Sequence, residues 1–446
     1  MTVNCCAEKG KIFENLLSLR IESLRRSAIC KLPQEEQGPM HHILFVDDDT
    51  NILSGLRRRL RSARPDWNLY FANSGPEAIE LAESRDFDVI VSDIQMPGMD
   101  GVTLLETLQK THPDAVRIIL TGHADNASYL RTIGPAHQFL SKPCDNETLI
   151  ESIENALGLR QLLRSPELRT LVAGSKSLAS PPDTYMRLET AFSDPNYSLE
   201  TISKIVESDI ALTTEVLKLT NSSYFAVTQN VSSVAHAVRM LGMETLKALA
   251  LFVGLYRGFN GPPSQAANLK RLCHRSQQIG VTAALIAEYE HLPREICHAV
   301  PSIGMLSHIG TLILYTNRPD EMQAVVERVE KEGISIDQAE AEQFGAGHAE
   351  IGAYLLGLWG FPAPVIQAVA YHHRPMDLPH REMTALTAIY VAQHLTREIA
   401  DRDAGHAVES TIDHDYLTQI GKDGHLDEWA NIAAVVSEKY RELTNS

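Results

Sequence analysis

The chain has 446 residues, 44% hydrophobic and 22% charged, and its 57 acidic side chains outnumber 40 basic ones to give a formal charge of −17. That length exceeds what one hydrophobic core normally supports, so two or more globular domains are expected. The acidic balance argues against a phosphate-gripping nucleic-acid surface, and no run reads as the ~20 apolar residues of a membrane span.

In chain order, residues 1–39 carry mixed charge and no apolar signal core, and read as an N-terminal extension. Met40, directly ahead of the first strand, is a candidate translation start; if 1–39 are translated, Phe13 to Leu24 reads as a short amphipathic helix. From 40 to 163 strand and helix patterns alternate. Strands read at 42–48, 68–73, 88–93, 117–122 and 138–142, and helices at 51–63, 76–84, 101–110, 125–133 and 145–163. Asp49-Thr50-Asn51, Asn73-Ser74 and Asp145 offer cap chemistry ahead of the first, second and fifth helices. The pattern predicts an α/β domain with a doubly wound, five-stranded parallel sheet. Arg57, Arg58, Arg59 and Arg61 form the densest basic cluster and read as a solvated helix face.

Pro166, Gly174, Ser175, Ser177, Ser180, Pro181 and Pro182 punctuate a linker over 164–184. Beyond it no strand pattern recurs. Helical spacing reads at Leu199–Val206, Ile210–Leu219, Val234–Leu241, Leu246–Tyr256 and His274–Tyr289, so the second domain is predicted to be all-α. Gly258-Phe259-Asn260-Gly261-Pro262-Pro263 divides it into two blocks. Cys5, Cys6, Cys30, Cys144, Cys273 and Cys297 lie scattered without Cys-x-x-Cys spacing, which suggests neither a disulfide framework nor a zinc site and fits a reducing cytoplasm.

Four strand ends carry the first domain's chemistry: Phe45-Val46-Asp47-Asp48, Val91-Ser92-Asp93, Leu120-Thr121-Gly122 and Leu140-Ser141-Lys142-Pro143. Side by side, they gather three carboxylates, a hydroxyl and an ammonium in one crevice. Asp93 is the candidate nucleophile, and Asp47 and Asp48 are candidate oxygen ligands for Mg2+. Thr121 can donate to a phosphoryl oxygen, Lys142 can supply a point charge, and Pro143 can fix the loop through a cis peptide.

Residues 42–163 resemble the receiver domains of two-component response regulators, a flavodoxin-like fold. The match runs through Ile43–Asp48, Asp93–Gly101, Leu120–Gly122 and Phe139–Pro143. The resemblance implies that Asp93 takes a phosphoryl group from a sensor histidine kinase. It also implies that the Gln95 backbone carbonyl completes the Mg2+ shell with Asp47, Asp48 and Asp93, and that Phe139 is the switch aromatic.

In the helical half, His274, His308, His348, His372 and His373 stand out among 18 histidines. The segments around them, among them Gly304-Met-Leu-Ser-His-Ile-Gly310, His348-Ala-Glu-Ile-Gly352, Leu358-Trp-Gly-Phe-Pro362 and Tyr371-His-His-Arg-Pro375, resemble the HDOD family over 171–400 and fade in a C-terminal helical extension, 401–446. HDOD domains are similar to the HD and HD-GYP metal-dependent phosphohydrolases, which implies an HD-like all-α fold. Where active relatives place a His-Asp pair and a lysine, this chain has Ser307, His308 and Thr311, and Arg374-Pro375 stands where Gly-Tyr-Pro would follow. A dinuclear hydrolase needs the bridging carboxylate that is replaced here. The remaining histidines still allow a mononuclear site.

The sequence therefore predicts a cytoplasmic response regulator, phosphorylated on Asp93, with a non-catalytic HDOD output that binds a downstream protein. A homodimer through either domain is a further expectation, and nucleic acid and membrane are not expected partners. The alternative is a degenerate metal-dependent cyclic-dinucleotide phosphodiesterase under receiver control.

Overall fold

The protein is described from a computed structural model that covers residues 41–121, 136–163, 165–174, 182–194, 197–220, 233–257, 263–379, 382–403, 405 and 411–445. The N-terminal extension, the expected helix at 125–133 and the 258–262 break lie outside the described residues.

Strands β1 (His41–Val46), β2 (Trp67–Ala72), β3 (Val89–Asp93), β4 (Val116–Thr121) and β5 (Gln138–Ser141) form a parallel sheet in the order β2-β1-β3-β4-β5. The register pairs Val46 with Ser92, Asp93 with Leu120 and Thr121 with Ser141, which lines the strand ends up along one edge. The order reverses between β1 and β3, the switch point at which open α/β sheets form their crevice. β3 (VIVSD) and β4 (VRIILT) are buried along their whole length, polar residues included, as central strands covered on both faces are.

Helices α1 (Thr50–Ala63), α2 (Gly75–Glu83), α3 (Gly101–Thr111) and α4 (Asn146–Leu162) flank the sheet. Their starts are fixed by side-chain oxygens: Asp49 accepts from Asn51 N at 2.8 Å, Ser74 from Glu77 N at 3.4 Å, Asp100 from Thr103 N at 2.8 Å and Asp145 from Thr148 N at 2.8 Å. The four arginines of α1 are exposed, as a solvated face predicts.

The linker reading needs correction. Helix α5 (Pro166–Gly174) fills much of the first half of 164–184 and buries Leu168 and Val172. Proline in a first turn costs no helical hydrogen bond, so the residue read as punctuation is a helix start.

The rest is helical: α6 (Asp183–Ser193), α7 (Leu199–Glu207), α8 (Ile210–Thr220), α9 (Val234–Arg257), α10 (Pro263–Tyr289), α11 (Arg294–Leu306), α12 (Ile309–Asn317), α13 (Pro319–Glu332), α14 (Ile336–Phe344), α15 (His348–Leu358), α16 (Ala363–Tyr371), α17 (Ala385–Asp403), α18 (His414–Gln419) and α19 (Leu426–Asn445). Gly242, at φ +73°, breaks α9 between the two segments that periodicity separates. The stretch past 400 belongs to the core. Trp429 is fully buried and donates to Glu290 at 3.0 Å, and Gln278 of α10 donates to Ser437 at 2.5 Å.

Ile296–Asn317, across α11 and α12, is by length and composition apolar enough to span a membrane, which the sequence reading missed. It is interrupted at His308, and 83% of its most apolar window is buried among other helices, which is the environment of a core segment.

The two domains share a face. One apolar cluster runs from Ile43, Val91 and Ile118 of the sheet through Ile153 and Leu159 of α4 to Tyr354 and Leu355 of α15, whereas Leu44, Ile90 and Leu104 belong to a separate cluster on the other side of the sheet. Gln138 of β5 donates to the Gly357 carbonyl at 2.9 Å in a buried setting. A Cβ on Gly357 would collide with Leu159, so this approach of α15 to α4 requires glycine.

Candidate functional site

Two clusters of ligand-type side chains stand out among the described residues. The first is the crevice at the strand ends. Asp47 and Asp93 are only 2% and 9% exposed, Thr121 is buried at the end of β4, and Asp48 is open to solvent. One oxygen from each of Asp47, Asp48 and Asp93 lies within 4.8 Å of the others. Lys142 Nζ bridges Asp47 at 2.8 Å and Asp93 at 2.9 Å. The Lys142–Pro143 peptide is cis, and Lys142 N donates to the Thr121 carbonyl at 2.6 Å.

Electrostatics set each group's state. Burial raises the Asp93 carboxyl above the usual range, against the pull of Lys142 and with a further push from Asp47. Burial opposes the Lys142 charge, yet its bonds to Asp47 and Asp93 prevail and raise its pKa. Ile94 N donates to Asp93 Oδ1 at 2.9 Å, which orients the carboxylate. Asp48 and Gln95 border a cleft of about 460 Å³ beside it, where a phosphoryl donor could approach. Asp49 is the α1 cap: its side chain accepts from Asn51 N, and its own N donates to Asp47 Oδ1 at 2.9 Å. Phe139 lies on β5, and its side chain lies outside what is described.

These donors fit Mg2+: hard carboxylate oxygens, one exposed, with the Lys142 ammonium bridging the other two.

The second cluster lies within the helical domain, where His308, His348, His372 and His373 each bring a ring nitrogen within 4.8 Å of the others. His308 caps α12, His348 opens α15, and His372 and His373 follow α16. Gly310 allows this convergence, because a Cβ there would strike the His348 carbonyl. His308 and His348 stack with ring centroids 5.1 Å apart, and His372 and His373 lie 4.1 Å apart.

Around them sit partners the sequence reading missed. Glu340 of α14, fully buried, accepts from His348 Nδ1 at 2.5 Å and from His348 N at 2.8 Å. Gln393 of α17 meets His373 Nδ1 at 2.9 Å. These contacts close over eight and twenty residues, and the only local hint was a glutamate set between Ala339 and Ala341. Burial and the neighbouring rings hold His308 and His373 well below the imidazole range and His372 at about 3. Burial also opposes charge on His348, but Glu340 overrides it and raises its pKa.

Two corrections follow. His274 is not part of the convergent set; it sits on the half-buried flank of α10, while Ser276 and Gln277 face inward. Ser307 is fully buried but is turned to the Gly304 carbonyl at 2.8 Å and His308 Nδ1 at 2.9 Å, so it supports His308 rather than facing a ligand. A dinuclear hydrolytic centre does not fit this donor set. The four convergent side chains are all imidazoles, and the carboxylate that touches them binds the outer edge of His348.

Comparison with known proteins agrees with this division. Residues 43–154 match the response regulator receiver domain and residues 178–375 the HDOD domain. An uncharacterized protein of Treponema pallidum is 26% identical over 201 residues, covering 45% of this chain and 37% of its own. The C4-dicarboxylate transport transcriptional regulatory protein DctD of Pseudomonas aeruginosa is 36% identical over 132 residues, 29% of this chain and 27% of its own. The chain thus spans only about a quarter to two fifths of the length of these curated relatives. A crystal structure of an HDOD domain protein from Geobacter sulfurreducens shares 24% identity, with a TM-score of 0.47 over 62% of this chain and 94% of that one. The chain thus carries a response regulator receiver domain followed by an HDOD domain.

Proposed function

We propose that Asp93 accepts a phosphoryl group from a sensor histidine kinase in the cytoplasm, and that the HDOD domain transmits the change by binding a downstream protein without turnover. The observation that carries the first half is the Lys142 bridge between Asp47 and Asp93 at the switch point of the sheet.

The Asp93 carboxylate attacks phosphorus, its O–P bond forms as the donor's N–P bond breaks, and the leaving imidazole takes up a proton. Asp47, Asp48, Asp93 and the Gln95 carbonyl would hold Mg2+, which would supply positive charge for the phosphoryl oxygens. Lys142 exchanges its hold on Asp93 for the new phosphoryl oxygens, and Thr121 donates its hydroxyl to them. Both changes pull on the ends of β4 and β5. Gln138 at the start of β5 is bonded to Gly357, so a movement of the strand reaches α15 directly.

The helical domain's role as a binder rests on its donor set, in which, among the described residues, no carboxylate joins the four imidazoles. The test of the receiver reading is labelling with acetyl phosphate and Mg2+. The wild type should gain one acid-labile phosphoryl group, and Asp93→Asn should gain none; undiminished labelling of that variant would show the site to be misplaced.

A further inference from the structure

We propose that His308, His348, His372 and His373 bind one late divalent transition metal, Zn2+ foremost, through their four Nε2 atoms in a closed, four-coordinate structural site. This deepens the non-catalytic reading of the helical domain and rests on it in one respect, the absence of an open coordination position.

The argument runs through the outer nitrogen of each ring. Ser307 Oγ has one proton, which it gives to the Gly304 carbonyl at 2.8 Å; at 2.9 Å from His308 it must therefore accept, so His308 carries its proton on Nδ1. The Val369 carbonyl can only accept, so its 2.7 Å contact places the His372 proton on Nδ1. Glu340 likewise takes the Nδ1 proton of His348. For His373 the contact is the Gln393 amide, whose Oε1 is buried without a hydrogen-bond partner. As that amide stands, its Nε2 donates to His373 Nδ1 and leaves the His373 proton on Nε2; exchanging its two ends would move that proton to Nδ1 but turn the orphan acceptor into an orphan donor.

The Nε2 atoms of His308, His348 and His372 then offer lone pairs to one shared centre, and His373 Nε2 joins them once its proton, which bonds His348 Nε2 at 3.0 Å, is released on metal binding. His372 Nε2 is buried with no hydrogen-bond partner, and His348 and His373 Nε2 lie 3.0 Å apart, close to the spacing of neighbouring nitrogens around a tetrahedral ion. Imidazoles whose outer N–H is held by a carboxylate, a carbonyl or a hydroxyl are the pattern of metal-ligating histidine. The nitrogen-only donor set selects late transition metals over Mg2+ or Ca2+. Glu340 supplies a negative charge beside the ion. Four protein ligands fill a tetrahedron and leave no place for a hydrolytic water.

The experiment uses full-length protein with excess Mg2+, which keeps the aspartate crevice from taking zinc. Metal-free protein is equilibrated with Zn2+, desalted and analysed for metal content, and a Co2+ form is examined by absorption spectroscopy. One zinc per chain and an intense tetrahedral Co2+ spectrum are expected, both lost in His372→Gln and retained in His274→Ala. Less than a tenth of an equivalent in the wild type, or full retention in His372→Gln, would overturn the site. Should His372→Gln fail to fold, the wild-type stoichiometry and Co2+ spectrum decide alone: a six-coordinate or absent spectrum refutes the site. Turnover of cyclic dinucleotides by the zinc-loaded protein is measured separately; its appearance would overturn the closed coordination while leaving the metal count intact.

Discussion

The aspartate crevice and the histidine nest are built on opposite principles. The crevice sits at the mouth of the sheet, with Asp48 in solvent and a lysine bridging the other two carboxylates. Its groups are held by charge and can change partners when a phosphoryl group arrives and leaves. In the nest three of the four rings are buried, and each outer nitrogen is tied to a fixed acceptor or amide. A switch must exchange ligands reversibly, whereas an anchor must not. On the proposed reading the crevice is the switch and the nest the anchor, and one apolar cluster spans the two domains that carry them.

The sharpest way to break the contrast is at the crevice. Asp48→Ala removes a hard oxygen ligand, and Mg2+ binding followed by fluorescence or calorimetry should disappear together with phosphorylation. Retained Mg2+ binding would mean that the metal shell has been drawn around the wrong residue.

In the nest, Glu340→Gln keeps the shape but withdraws the charge behind His348. Zinc affinity should fall about 10- to 100-fold in competition with a chelator, the range seen for partners of metal-bound histidine. No change would place Glu340 in a purely structural role.

These two regions differ as much in how legible they are. Four of the five receiver strands are short, mostly apolar runs closed by a candidate site residue, so Asp47, Asp48, Asp93, Thr121 and Lys142 could be picked out as candidates from local pattern alone. The nest could be read only as a set of suspicious histidines. Which of them converge depends on how α12, α15 and α16 cross, and the pattern gave no reason to keep His308 and drop His274. Glu340 and Gln393 were invisible because they act across tertiary contacts. The same limit explains Pro166–Gly174: its apolar residues are worth burying only because the other domain lies beside them.

The interface offers a smaller lever. Gly357→Val would force a side chain against Leu159, and overpacking of this kind costs about 1–3 kcal/mol. Domain docking, read as protease sensitivity of 160–182, should loosen while Asp93 labelling stays intact. Unchanged sensitivity would show that the contact between α4 and α15 contributes little to docking.

The smallest expected effect belongs to Asp49→Ala. Loss of the α1 cap should cost about 1 kcal/mol of stability in denaturant titration and leave Mg2+ affinity unchanged. A loss of Mg2+ binding equal to that of Asp48→Ala would mean the carboxylate register is off by one residue.

The central claim is that a phosphoryl group at Asp93 is felt in the helical domain through β5 and α15. Hydrogen exchange on the full-length protein, with and without beryllofluoride and Mg2+, tests it most directly. Altered exchange in 138–159 together with 348–358 is the predicted result. Changes confined to the crevice, with none beyond residue 165, would contradict the account and leave the HDOD domain a passive passenger on its receiver.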